Sequence, residues 1–160
     1  MIKRYYSIAL LAVVTLLSIN APAETPKQIV GATEVVRIEE GNLSFKARVD
    51  TGAKTSSIHA ERIDVDLPGD PRGKPIVFYL VNKSGHTSRV ETRVDSLVNV
   101  RTSEGSELRY KVPLTVQWKG STKTVLVTLN DRSRMQYALL LGRNWLLGEF
   151  IVDVSINDED

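Results

Sequence analysis

Residues 43–53, LSFKARVDTGA, combine a strand pattern with an abrupt change of residue type. Apolar residues at alternate positions from Leu43 to Val49 have the period of a strand with one buried face. The strand then ends at Asp50, and the small residues 51–53 follow. Taken alone, such a string is a turn whose carboxylate accepts backbone N–H groups, because a three-residue motif depends on its context.

The rest of the chain is also rich in strand patterns. Further β-rich runs occur at residues 34–38, 76–81, 97–101, 108–118 and 123–129. Turn-forming residues separate them at 39–42, 82–86, 103–106 and 119–121, and a proline- and glycine-rich loop is expected at 68–75. One short helix is predicted at 142–148, after the apolar run 137–141. Short strands at this spacing predict a barrel or a sandwich.

The N-terminal residues have the pattern of a signal peptide. Lys3 and Arg4 precede an apolar stretch at 8–19, and APA at 21–23 has the small-x-small form of a cleavage site. We expect residues 1–23 to be removed and the protein to be exported, to the periplasm or beyond, with no membrane span after cleavage. Retention of the segment as an N-terminal anchor is the alternative.

The remaining chain is expected to form one domain. A flexible lead-in is predicted at 24–33, the domain at 34–156 and an acidic tail at 157–160. The 160 residues include no cysteine, so the apolar core alone must stabilise the fold. Without Lys3 and Arg4, 19 basic residues balance 19 acidic ones, and nothing indicates a nucleic-acid partner.

Two longer strings give Asp50 a context. They are ARVDTGAKTSSIHA at 47–60 and LNDRSRMQYALLLGRNWL at 129–146. Together they resemble the bacterial retropepsin-like aspartic endopeptidase family, formerly described as putative ATP-dependent zinc proteases. The resemblance extends from about residue 34 to 153. It implies a mostly β fold, a small closed β-barrel of the retropepsin-like (acid protease) type with one short C-terminal helix. The strand at 139–141 would pack against the strand that carries Asp50.

The resemblance also implies the site. By this resemblance, Asp50 would be the catalytic residue. Thr51, Gly52 and Ala53 would form the active-site loop, and Gly142 and Arg143 would support it. Two carboxylates that share one proton can hydrolyse a peptide bond, one as base and the other as acid. The chain has one Asp-Thr-Gly string, so this mechanism requires a homodimer.

Two features of the site stay open in the sequence. Many viral relatives have an acidic residue after the DTGA string, whereas this chain has Lys54. Arg143 is left to bond either another carboxylate or backbone carbonyls at a helix end. A glycine-tipped hairpin is expected to cover the cleft, and residues 103–106 are favoured over 82–86 because their distance to Gly142 is closer to that of compact relatives.

No metal and no other cofactor is predicted. The chain offers His59 and His86, no cysteine and no His-Glu-x-x-His, and GDPRGKP at 69–75 departs from a P-loop. Three hypotheses follow: an exported aspartic peptidase, a non-catalytic envelope binding or assembly module that keeps the fold, and a metal-dependent hydrolase. The family's association with amide-ligase and peptide-modifying systems implies a peptide or cell-envelope substrate.

Overall fold

A computed structural model describes residues 26–65, 68–102 and 105–156. The predicted signal peptide and acidic tail lie outside this range. Within it there are eleven strands and one short helix, which confirms the predicted mostly β fold. The elements are β1 (Gln28–Val30), β2 (Thr33–Ile38), β3 (Leu43–Val49), β4 (Ser56–Val65), β5 (Pro75–Val81), β6 (Thr87–Arg93), β7 (Ser96–Thr102), β8 (Gly105–Trp118), β9 (Ser121–Asn130), β10 (Leu139–Leu141), α1 (Arg143–Leu146) and β11 (Phe150–Val152).

Six strands form a ring of hydrogen-bonded pairs. β10 pairs in parallel with β3, and antiparallel pairs join β3 to β2, β2 to β8 and β8 to β9. β9 pairs in parallel with β4, and β4 returns to β10 in an antiparallel pair. β5 and β6 extend the sheet from β4, while β7 pairs with β8. The ring brings β3 and β10, which are distant in sequence, side by side.

The hydrophobic core is formed by the apolar residues that alternate with polar residues along the strands. In β3, Phe45 and Ala47 are buried, whereas Lys46 and Arg48 are exposed, as the period of two predicts. Among the described residues, no helix has the length and apolar character needed to cross a membrane.

An aromatic cluster joins α1 to the core. Trp145 stacks on Phe150 with ring centroids 4.1 Å apart, and Trp118 meets both rings edge-on. Trp145 and Leu146 are buried, as expected for apolar residues on a short terminal helix. Lys123 Nζ donates to the carbonyl oxygens of Trp145 and Leu147, which lie at the helix end where carbonyls have no partner within the helix.

Within the predicted flexible lead-in at 24–33, the structure corrects the prediction for residues 28–33, which belong to the fold. Residues 28–30 form β1, which pairs in parallel with β11, and Val30 is fully buried. The carboxylate of buried Glu34 fixes the turn after β1: its Oε1 accepts the Gly31 N–H at 2.7 Å and its Oε2 accepts the indole N–H of Trp118 at 2.6 Å. Burial of Val30 and this charge-assisted pair of bonds explain why the segment is part of the fold.

Candidate active site

Asp50 lies at the point where β3 meets β10. Leu141 pairs with Val49, and the Asp50 N–H donates to Leu141 O at 2.9 Å. The predicted packing of residues 139–141 against the strand that carries Asp50 is therefore confirmed. This contact fixes the backbone of Asp50, whose side chain is half-buried.

The Asp50 carboxylate is oriented by the loop that follows it. Its Oδ1 accepts the N–H groups of Gly52 at 2.8 Å and Ala53 at 3.1 Å. A Cβ at position 52 would lie 3.1 Å from the same oxygen, which explains the glycine. No described residue donates a hydrogen bond to Oδ2. Asp50 therefore forms the turn predicted for an isolated DTGA string through Oδ1. Its Oδ2 is left available to accept a further hydrogen bond.

Arg143 holds the loop from behind. Its Nη1 donates to Thr51 O at 3.1 Å and to Gly52 O at 2.9 Å, and its backbone N–H donates to Ala53 O at 2.9 Å. The structure thus answers the question that the sequence left open, because Arg143 bonds the carbonyls of the Asp50 loop. Lys54, which follows the DTGA string in place of an acidic residue, is exposed.

Gly142 allows this close approach. A Cβ at Gly142 would lie 2.8 Å from the carbonyl carbon of Thr55 and 3.0 Å from Ala53 O. The Gly142 N–H donates to Ser56 Oγ, and the Ser56 hydroxyl donates to Asn144 Oδ1. Ser56 and Asn144 were missed by sequence reasoning, and their place inside the two motif strings was the only signal for them.

A cavity of about 660 Å³ adjoins the Asp50 loop. Its walls come from residues 53–55, Ser57 and Leu140, from β7 and β8, and from residues near the end of β9. The β7–β8 hairpin, favoured as a cover by its sequence position, borders this cavity, although its tip at 103–104 is outside the described residues. The walls include five basic side chains and, within the described part of the chain, no acidic one: Lys54, Arg101, Arg109, Lys111 and Arg132.

Arg132 is the most deeply placed of these cations. The whole residue is 8% exposed. Its side-chain Nε donates to Tyr137 O, and its backbone N–H donates to His59 Nδ1. Burial lowers the pKa of the Arg132 guanidinium, and the Arg109 charge lowers it further, whereas the Asp50 charge opposes both. Arg132 is therefore within electrostatic reach of the Asp50 carboxylate.

The two histidines occupy different environments. His59 is buried, its Nδ1 accepts the Arg132 N–H at 3.0 Å, and its Nε2 lies 3.3 Å from Glu61 Oε1. His86 is exposed in the turn between β5 and β6. Within residues 26–65, 68–102 and 105–156, no three His, Cys, Asp or Glu residues are grouped closely enough to hold a metal ion.

Comparisons with known proteins match most of the chain. A family model described as RimB-like, retropepsin-like aspartic endopeptidase RimB, matches residues 29–158. A probable alpha-L-glutamate ligase of Shewanella pealeana is 37% identical over 117 residues, covering 70% of this chain and 25% of that protein. One of Desulfotalea psychrophila is 31% identical over 140 residues, covering 81% and 29%. The chain spans about a quarter of the length of these curated relatives.

A solved structure has a similar fold. It is a Legionella pneumophila protein of unknown function (DUF785), with a TM-score of 0.68 and 28% identity. The match covers 80% of this chain and 94% of that one. The same arrangement of strands therefore occurs as nearly the whole of another protein.

Proposed function

The chain belongs to the RimB-like family of retropepsin-like aspartic endopeptidases, and from this membership we propose that it hydrolyses peptide or amide bonds with Asp50 as the catalytic residue. The observation that carries the proposal is the geometry of Asp50. One carboxylate oxygen is fixed by two backbone N–H groups, the loop is held by Arg143, and a large cavity adjoins it. The six-stranded ring would be the closed barrel of a retropepsin-like fold.

The proposed reaction requires Asp50 from two chains. The ionised member of the pair would accept a proton from water, whose oxygen attacks the carbonyl carbon, while the protonated member donates to the carbonyl oxygen. The C–N bond then breaks as the nitrogen gains a proton. Exposed apolar residues support a homodimer, because Ile29 and Ile151 pair side by side in the β1–β11 sheet and are more than half exposed.

The substrate is proposed to be a peptide that carries acidic residues. Basic side chains line the cavity, and a cleft of one charge sign concentrates ligands of the opposite sign. The names of the curated relatives also concern glutamate, an acidic amino acid. Because a signal peptide is predicted, the activity is proposed to be exported, and a cell-envelope peptide is among the proposed substrates. The β7–β8 hairpin would close over the bound peptide and exclude water.

Replacement of Asp50 by Asn tests the proposal. Purified wild-type and Asp50→Asn chains are mixed and allowed to exchange, and hydrolysis of a peptide library rich in Glu and Asp is measured together with oligomeric state. In an equal mixture with random exchange, about one quarter of the dimers retain two aspartates. Activity should therefore fall below the roughly one half that dilution alone would leave. Asp70→Asn, an exposed change of the same kind, is the matched control.

Three results distinguish the hypotheses. Activity that resists chelators and disappears in Asp50→Asn supports the aspartic peptidase. Peptide binding without turnover in the wild type favours the non-catalytic module, and chelator-sensitive turnover favours a metal-dependent hydrolase. Full turnover by a strict monomer or by the Asn variant would rule out the two-aspartate mechanism.

A further inference from the structure

The hydroxyl of Ser57 lacks a hydrogen-bond partner. Among the described residues, its Oγ is the one side-chain nitrogen or oxygen atom that is almost inaccessible to solvent and has no partner. Ser57 is 6% exposed, lies in β4 opposite Leu140 of β10, and borders the basic cavity. Buried polar groups are nearly always hydrogen-bonded, so an unpaired hydroxyl in the wall of a cavity calls for an explanation.

The guanidinium of Arg132 is also incompletely satisfied. Its Nε donates to Tyr137 O, but no described residue accepts a hydrogen bond from its Nη1 or Nη2. No described carboxylate forms an ion pair with it, whereas neighbouring Arg109 pairs with Glu107 at 2.7 Å. A buried cation with no close ion pair carries a desolvation cost that a bound anion would offset.

These two groups share one cavity and rigid supports. Ser57 belongs to a strand of the six-stranded ring, and His59 on the same strand accepts the backbone N–H of Arg132 at 3.0 Å. The backbones of both residues are therefore held in place before any ligand arrives. A hydroxyl and a guanidinium both donate hydrogen bonds, and a carboxylate has the acceptor oxygens that such donors require.

We infer that Ser57 and Arg132 form a preformed subsite that binds one carboxylate group of the ligand in this cavity. The inference rests on the proposed function in taking the cavity to be the substrate cleft. It goes further by assigning the recognition of a single carboxylate to two residues outside the Asp50 loop. The carboxylate belongs either to an acidic side chain or to a peptide C-terminus.

Peptide binding to the Asp50→Asn protein tests the inference without turnover. Three probes are titrated by calorimetry: acetyl-triglutamate amide, acetyl-triglutamine amide and acetyl-triglutamine with a free C-terminus. Binding of the first alone identifies a side-chain carboxylate, and additional binding of the third identifies a terminal one. Equal binding of the neutral amide, or no binding of any probe, overturns the inference.

Substitutions then locate the subsite. On the Asp50→Asn background, Ser57→Ala should weaken binding of the preferred acidic probe about tenfold and Arg132→Gln about a hundredfold, since hydrogen bonds to charged groups are the stronger ones. Arg72→Gln removes the same charge from an exposed loop residue and should change the affinity less than threefold. Unchanged binding in both Ser57→Ala and Arg132→Gln would contradict the assignment.

Thermal unfolding gives a readout that a structural role would not produce. Ser57→Ala should raise the melting temperature of the unliganded protein while it weakens binding, because it removes a buried hydroxyl that has no partner. A serine that only supports the fold would lower both. Arg132→Lys keeps the charge and should recover part of the affinity lost in Arg132→Gln. Because all these readouts are binding and stability, they decide the inference even if the wild-type protein hydrolyses nothing.

Discussion

Replacement of Gly142 by alanine should move the Asp50 loop away from β10. The new Cβ would lie 2.8 Å from the carbonyl carbon of Thr55, about 0.6 Å closer than the shortest ordinary contact of 3.4 Å. It would also lie 3.0 Å from Ala53 O. Both neighbours are backbone atoms and cannot rotate away. The φ of Gly142 is −91°, which alanine adopts without strain, so the whole effect comes from this contact.

The magnitude follows from the forced shift. Overpacking of this kind costs about 1–3 kcal/mol in the free energy of unfolding. A displacement approaching 1 Å in a catalytic group lowers the rate about a hundredfold, so a loop shift of half that size should lower kcat/KM by about tenfold or more. The loss of activity should therefore exceed what the fraction of unfolded protein explains.

Urea unfolding followed by tryptophan fluorescence measures the stability, and hydrolysis of an acidic peptide measures kcat/KM. Gly41→Ala is the matched control, because its Cβ would meet the side-chain ends of Leu80 at 3.0 Å and Val90 at 3.3 Å, which can move. That variant should keep kcat/KM within twofold. If Gly142→Ala does the same, the close approach is not needed to position Asp50.

Three further changes have defined outcomes. Glu34→Gln should destabilise the fold by about 1–3 kcal/mol in urea unfolding, because an amide cannot accept both of the buried N–H groups that the carboxylate accepts. Arg143→Lys should lower kcat/KM at least tenfold with a smaller loss of stability, because lysine lacks the guanidinium that reaches two loop carbonyls. Equal kcat/KM in the wild type and the Arg143→Lys variant would refute this. Hydrogen bonds from the Ser133 hydroxyl and N–H lower the pKa of the Asp131 carboxyl in the folded protein. The ionised carboxylate therefore adds a small amount of stability at pH values above its unfolded pKa of about 3.9. This stability is lost as the pH falls through the lower pKa of the folded state. Melting curves of Asp131→Asn should accordingly depend less on pH in this acid range than those of the wild type.

The sequence predicted those strands that bury one face. β3 alternates cleanly, and its pattern alone indicated the strand that carries Asp50. The start of β4 has no such signal, because residues 56–60 are all buried between paired neighbours. β1 and β11 have three residues each, too few for a period to be visible.

The candidate site was predictable only where its residues lie in a motif. Asp50, Gly142 and Arg143 belong to the two strings, but the acceptors of Arg143 required the fold, because they lie 91 and 92 residues away. Ser57 and Arg132 carried no individual signal. Their relevance comes from burial, a missing hydrogen-bond partner and a shared cavity, none of which is encoded in local spacing.

The six-stranded ring also has a consequence for how fast the protein folds. β10 is the last of the six strands in the chain, and it joins β3 and β4, which precede it by some 80 to 90 residues. Folds dominated by such distant pairings reach the native state in milliseconds to seconds, since long loops must close first. Until residue 141 has been synthesised, β3 and β4 lack this neighbour and offer unpaired edges to other chains. Native Asp50 geometry therefore depends on a strand pairing that cannot form before residue 141 has been synthesised.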